Sequence, residues 1–192
     1  MSISFHDVER LKSFYPEHKI ELREGKLIIM SPSDSVSGDV GVQFSTLLNL
    51  WVREYGLGRV LGARAGFLMP NGDLLSPNVS FVSRERLKRI PRTYAAVVPE
   101  LIVEIKSSTD RIRELEQKIA LFLRQGVHVG LLIDPDKQTV RIYGSSSLKE
   151  DAEGEEAIFP ITILKDGETL TIPDLFPGWK LPIESLWPLV YE

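Results

Sequence analysis

Residues 101–107 read Leu101-Ile102-Val103-Glu104-Ile105-Lys106-Ser107. Side chains alternate along a strand, so Ile102, Glu104 and Lys106 share one face, while Leu101, Val103 and Ile105 share the other. Apolar residues on both faces mark a strand covered on both sides, as at the centre of an α/β sheet. A carboxylate and an ammonium in such a strand must be paired, bound to a metal, or engaged in chemistry.

The flanking sequence extends this strand into a βαβ unit. A helix is expected over residues 110–125, with Ile112, Leu115, Ile119, Phe122 and Leu123 as its buried stripe and Gly126 closing it. Apolar residues 127–133 follow as a strand, then an Asp134-Pro135-Asp136 turn and a strand over 139–143. Strand, crossover helix and strand imply parallel pairing with a right-handed connection. His128, inside the apolar run, reads as a satisfied core histidine.

Upstream, strands are expected over 59–69 and 75–82, joined by the turn Pro70-Asn71-Gly72-Asp73. Before them a helix over 37–55 carries Val40, Phe44, Leu47, Leu48 and Trp51 at helical spacing and ends at Gly56-Leu57-Gly58. Because Gly56, Gly58 and Gly62 follow a helix and not a strand, they do not form a dinucleotide loop. KIELREGKLIIMS (19–31) reads as a hairpin around Glu24-Gly25. A first helix is expected over 4–14, with Ser4 as N-cap and Val8, Leu11 and Phe14 inward. Residues 144–156 read as an exposed loop, and 157–192, with the Pro-rich PDLFPGWKLP, as a covering arm. The expectation is one α/β domain over 1–192, with an α+β mixed sheet flanked by helices and a core over about 18–143.

Composition narrows the function classes. With 192 residues, 43% hydrophobic and 26% charged, the chain has the make-up of a globular domain. It has no cysteine, which removes disulfides, zinc-cysteine sites and thiol nucleophiles. No apolar run approaches the roughly 18 residues that a bilayer span requires. The first residues lack the apolar segment of a signal peptide, so a cytoplasmic location is expected. A net charge of -4 argues against a protein that coats nucleic acid nonspecifically, yet a local basic patch can coexist with an acidic site. Residues 84–92, RERLKRIPR, are such a patch, expected as a short helix up to Pro91. Arg84, Arg86, Lys88 and Arg89 are its candidate phosphate contacts, against the alternative of a solvated helix face.

Neither a G-x-S-x-G elbow, a Walker loop nor an H-E-x-x-H pair is present, and His6, His18 and His128 are far apart in sequence. What remains is a carboxylate–lysine set. Lys118, about 100° from the centre of the helical stripe, can reach toward the end of the sheet. Glu21 shares a strand face with Arg23. Carboxylate and carbonyl oxygens suit a hard cation that polarises a phosphoryl group and activates water, and a lysine beside them can orient that water or stabilise the developing charge. E-x-K by itself is a three-residue pattern, and taken alone it is slightly better explained by a Glu104–Lys106 salt bridge.

The order of the features is more specific. IELREGKLIIMSPS (20–33), SPNVSFVSRERL (76–87), VPELIVEIKSSTD (98–110), EQKIALFLRQGV (116–127) and LLIDP (131–135) together resemble the Uma2 family of the PD-(D/E)xK nuclease superfamily. The resemblance implies a restriction-endonuclease-like core and a DNA endonuclease that uses Mg²⁺ or Mn²⁺, and it is compatible with a homodimer. It puts Glu104 and the carbonyl of Ile105 on the metal, Lys106 beside the attacking water, and Glu21 and Lys118 in support. Members usually carry Pro-Asp where this chain has Pro77-Asn78, so the metal site keeps an amide oxygen and loses a charge. A histidine common near Gly38 is absent, and His128-Val129-Gly130-Leu131 stands where many members read Pro-Glu-Tyr-Trp. Two other readings stay open. One is a degenerate member that binds nucleic acid or a protein without cleavage, and the other an interaction protein with a salt-bridged core strand.

Overall fold

The stretch with apolar residues on both faces is a central strand of the largest sheet. The structure, a computed structural model, describes residues 3, 5–15, 17–30, 32–150 and 156–191. Its elements begin with α1 (Phe5–Phe14), β1 (Lys19–Arg23), β2 (Lys26–Met30), α2 (Ser35–Glu54) and β3 (Gly58–Gly62). They continue with β4 (Phe67–Leu68), β5 (Leu74–Leu75), β6 (Val79–Ser83), β7 (Leu101–Ile105), α3 (Ile112–Arg124), β8 (Val129–Asp134) and β9 (Thr139–Tyr143). Last come β10 (Leu148–Glu150), β11 (Glu156–Ile158), β12 (Thr162–Leu164), β13 (Thr169–Leu170) and β14 (Leu181–Pro182).

Six strands in the order β12-β9-β8-β7-β6-β3 make a mixed sheet. Only β7 and β8 pair in parallel, with Glu104 opposite Leu132, and α3 is their crossover. Leu101, Val103 and Ile105 pack with Val40, Phe44, Leu48 and Val52 of α2 and with Phe176, Trp179 and Ile183 from the C-terminal arm. Edge-to-face contacts Phe81–Phe176 at 4.7 Å and Phe176–Trp179 at 5.7 Å lock that arm into the core. On the other face Ile102 meets Ile119 and Phe122 of α3 together with Leu132 and Tyr143. A smaller sheet, ordered β2-β1-β5-β4, lies under α1, where Val8 packs on Ile20, Leu22 and Leu74. Asp34 caps α2 by accepting the Ser37 N–H at 2.9 Å, and Gly126, at φ +98°, ends the turn after α3. No helix among the described residues is long and apolar enough to cross a membrane.

Several expectations are corrected. Phe14 is 71% exposed. Six residues beyond Val8 at about 100° per residue leave it roughly 120° from the buried line. The expected strands 59–69 and 75–82 each break in two. β3 and β6 pair in the large sheet, whereas β4 and β5 pair in the small one, where Leu74 faces Leu22. One straight strand cannot serve two sheets, and Pro77 at the break has no N–H to donate. Residues 84–92 form turns and not a helix. Only Leu87 is buried among them, so no apolar stripe holds a helix in place. His128 is exposed, just ahead of β8, with Nε2 3.5 Å from Arg86 Nη2. The 144–156 loop includes β10, whose Leu148 pairs with Ile158 of β11. The Ser4 N-cap lies outside the described residues.

Candidate active site

Three elements supply the charged residues. In β1, alternation sends Ile20 and Leu22 under α1 and leaves Lys19, Glu21 and Arg23 on the opposite face. In β7 it turns Glu104 toward α3, and α3 returns Lys118. Lys118 Nζ lies 2.7 Å from Glu104 Oε1 and 3.0 Å from Glu21 Oε1, and it donates to the Ser76 carbonyl at 3.0 Å. Glu21 accepts the Ser76 N–H at 2.9 Å and is gripped by Arg23 at 2.6 Å. Glu104 and Lys118 are each 2% exposed and Glu21 is 0% exposed. The Glu104–Lys106 salt bridge does not form, because the helix lysine takes that carboxylate.

The two carboxylates are driven apart electrostatically. Burial pushes Glu104 up, and Lys118 and Lys19 only partly oppose it. Burial would also raise Glu21, but Lys118, Arg23 and Lys19 together outweigh it and hold that carboxyl below its ordinary range. Glu21 is therefore the lasting anion and Glu104 the carboxylate that holds a proton more readily. Lys19, half-buried near Lys118, is lowered from 10.5 to about 8, by burial first and the neighbouring ammonium second. Sequence reading missed Lys19. Its only signal was the K-I-E-L-R alternation, which puts it on Glu21's face.

Asn78 sits just before β6, and its Oδ1 accepts the Ile105 N–H at 3.0 Å. Pairing of β6 with β7 stops at Val79–Val103, so Asn78 takes the place of the next strand residue. The N–H and C=O of a strand residue point to the same side, which puts the Ile105 carbonyl on this edge too. Glu104 Oε1 is buried, with the Lys118 ammonium 2.7 Å away as its partner. Carboxylate, amide and backbone carbonyl oxygens brought to one place are the donors a hard cation takes, and an ion there would share Glu104 with Lys118. The fit is thin in charge. Glu21 is spent on Arg23, Lys118 and Ser76, and no cluster of three or more acidic, His or Cys side chains occurs among the described residues.

Lys106 is placed apart from this group. Its Nζ lies 2.6 Å from Asp136 Oδ2, in the turn after β8, and this hydrogen bond raises its pKa. The basic segment is more distant. It follows the far end of β6, a five-residue strand, so about 16 Å separates it from Asn78. Arg84 pairs with Glu85. Arg86 is held by Glu100 at 3.2 Å and donates to the Val98 carbonyl, while Lys88 and Arg89 are exposed.

Above the buried charges is a cleft of two lobes. The inner lobe, about 290 Å³, is lined by Glu104, Lys118, Asn78 and Ile105, with Asp110 and Glu114 as further carboxylates. The outer one, about 360 Å³, is lined by Lys12, His18, Arg64 and Tyr94. Both lobes share Lys19, Met30, Pro32, Ser33 and Asn78.

The family model described as "Uma2: Putative restriction endonuclease" matches residues 5–184. In fold, the chain is similar to the crystal structure of a putative nuclease from Anabaena variabilis. The two are 21% identical over 96% of this chain and 97% of that one, with a TM-score of 0.74. No curated protein matches the chain.

Proposed function

The chain belongs to the Uma2 family of restriction-endonuclease-like proteins, and on that premise we propose that it is a metal-dependent DNA endonuclease that hydrolyses phosphodiester bonds. The observation that carries the proposal is the meeting of Glu104 and Lys118 at the floor of a cleft, beside Asn78 and Ile105, with Glu21 buried behind Lys118.

In this reading Glu104, Asn78 and Ile105 hold Mg²⁺ or Mn²⁺. Such an ion, when bound, supplies a Lewis acid for the phosphoryl oxygen and lowers the pKa of a water. Lys118 Nζ stabilises the negative charge that develops on the phosphoryl oxygens. Glu21 holds Lys118 in position through an oxygen that the Ser76 N–H fixes, and Arg23 keeps Glu21 charged. Lys19 Nζ, with its pKa lowered by burial to about 8, can exchange a proton inside the cleft. Lys106 orders the β8–β9 turn through Asp136, and Lys118 takes over the role beside the scissile group.

The experiment is incubation of single- and double-stranded circular DNA with the protein and Mn²⁺ or Mg²⁺, beside an EDTA control. Cleavage that Glu104→Ala abolishes is the expected result; if neither DNA is cut, the nuclease reading is wrong. A competing reading, a degenerate member without hydrolysis, draws support from the single anionic donor left to the ion. Calorimetry decides between them. Absence of divalent binding by the native chain, with binding restored by Asn78→Asp, selects the degenerate reading.

A further inference from the structure

The candidate carboxylate is at the bottom of a narrow cleft and not on a surface. Glu104 is 2% exposed, and the strand–loop wall that includes Met30, Pro32 and Ser33 lines both lobes above it. At about 290 and 360 Å³, each lobe is near the lower end of the roughly 300–1,000 Å³ that encloses a small molecule. That is room for about one nucleotide apiece. A single strand can turn one phosphate into such a space freely, whereas a duplex, stiff over about 150 base pairs, must first be kinked or opened at a cost in deformation energy.

The chemistry of the outer lobe fits a strand that continues past the cut. Lys12, Lys19 and Arg64 bring three cations to a space that Glu17 alone opposes among its lining carboxylates. Lys12 Nζ is held 4.7 Å over the Tyr94 ring, a cation–π contact that fixes the ammonium at the wall. Gly66 makes this possible. A Cβ there would fall 2.6 Å from Tyr94 Cδ1, so only a glycine lets the ring lie against the backbone. Met30 and Pro32 complete the lining with apolar surface for a base. Cations that track a backbone beside apolar and aromatic surface are the means by which proteins hold single strands.

We propose that the cleft takes single-stranded DNA, with the scissile phosphate over Glu104 and the adjoining nucleotide in the lobe formed by Lys12, Lys19, Arg64 and Tyr94. The proposal rests on the nuclease reading for the cut, but the outer lobe binds the strand whether or not hydrolysis follows. One copy of the chain suffices for each cut, so a homodimer is not required.

The test uses the full chain with a fluorescent oligonucleotide of about 12 nucleotides, within the usual footprint of a single-strand binder. The same oligonucleotide is also annealed as a blunt duplex. Anisotropy in EDTA measures binding, and Mn²⁺ is then added to measure cleavage. Single strands are expected to bind at least about tenfold tighter than duplex, and the double variant Lys12→Ala/Arg64→Ala to lose about tenfold of that affinity while its melting temperature is kept. Equal or tighter binding of duplex overturns the proposal, as does a double variant that binds like the parent. Duplex cleavage at the single-strand rate also overturns it and leaves the nuclease reading standing. Single-strand preference without cleavage upholds the cleft assignment and counts against the nuclease reading alone.

Discussion

Lys118 Nζ lies 2.7 Å from Glu104 Oε1, an ion pair between α3 and β7 with both side chains almost inaccessible to water. Desolvation of two such charges offsets most of their attraction, so the pair adds little net stability. Breaking it on one side is a different matter, because the remaining charge stays buried. The pair links the fold to the chemistry proposed for it, and the following expectations start from it.

Lys118→Met should cost about 3–5 kcal/mol, since it strands Glu104 and removes one of the partners of Glu21. The double variant Glu104→Gln/Lys118→Met should recover a large part of this loss. Guanidinium denaturation of the parent and both variants measures it. Equal losses in single and double variants would show that an unpaired Glu104 is not the cause.

Asn78→Asp adds a carboxylate next to the oxygens of Glu104 and Ile105 and can keep the hydrogen bond from the Ile105 N–H. Affinity for Mn²⁺ should rise by roughly tenfold to a hundredfold. Titration calorimetry of both proteins gives the ratio, and an unchanged constant would remove Asn78 from the ion's surroundings.

The two lysines should differ in their effect on cleavage. Lys106→Ala, which removes a pair with the exposed Asp136, should lower the rate by less than about tenfold and change stability by no more than about 1 kcal/mol. Lys118→Gln, assayed where circular dichroism shows it folded, should lose about a hundredfold or more. A larger loss for Lys106→Ala would return the E-x-K lysine to the reacting centre.

Lys19 predicts a pH dependence. Its pKa falls from 10.5 to about 8 on folding, so between those values the unfolded chain binds more protons than the folded one. Stability from this group therefore rises as pH increases from about 8 to 10.5, and the penalty is fully present below 8. Lys19→Met should be more stable than the parent at pH 7, on the order of 1–3 kcal/mol, with the difference shrinking toward pH 10.5. Denaturation at several pH values tests the slope.

Gly130→Ala checks the crossover packing. A Cβ at this position of β8 would stand 2.5 Å from Ile119 Cγ2 of α3. Overpacking should cost about 1–3 kcal/mol, and Ile119→Val in the same chain should relieve part of it. A neutral Gly130→Ala would mean that α3 can move off the sheet.

Local pattern was enough where one segment meets one environment. The double-sided apolar run of β7, the stripe of α3 and the turn residues Glu24-Gly25 each needed only their own neighbours to be read. The pattern misled where a segment serves two partners. Residues 59–69 and 75–82 cross from one sheet to another, and their apolar alternation continues through the break. Residues 84–92 have the charges of a surface helix but lack the buried stripe that would hold one. His128 borrowed its apparent burial from the strand that follows it.

For the site, the sequence by itself determined the residue types and the faces they occupy. Glu104 and Ile102 share one side of β7, Glu21 and Arg23 one side of β1, and the residue after Pro77 is the amide Asn78, where the resemblance leads one to expect a carboxylate. Those follow from the two-residue period of a strand and from the identity of one side chain. Only the tertiary structure decided the partners. It gave Glu104 to Lys118, sent Lys106 to Asp136, brought Lys19 into the cleft and set the basic segment at the far end of β6. A charge acts over a few ångströms of space, and residues 14 or 97 positions apart in the chain reach that distance only when α3 packs on β7 and the small sheet presents β1 to Lys118.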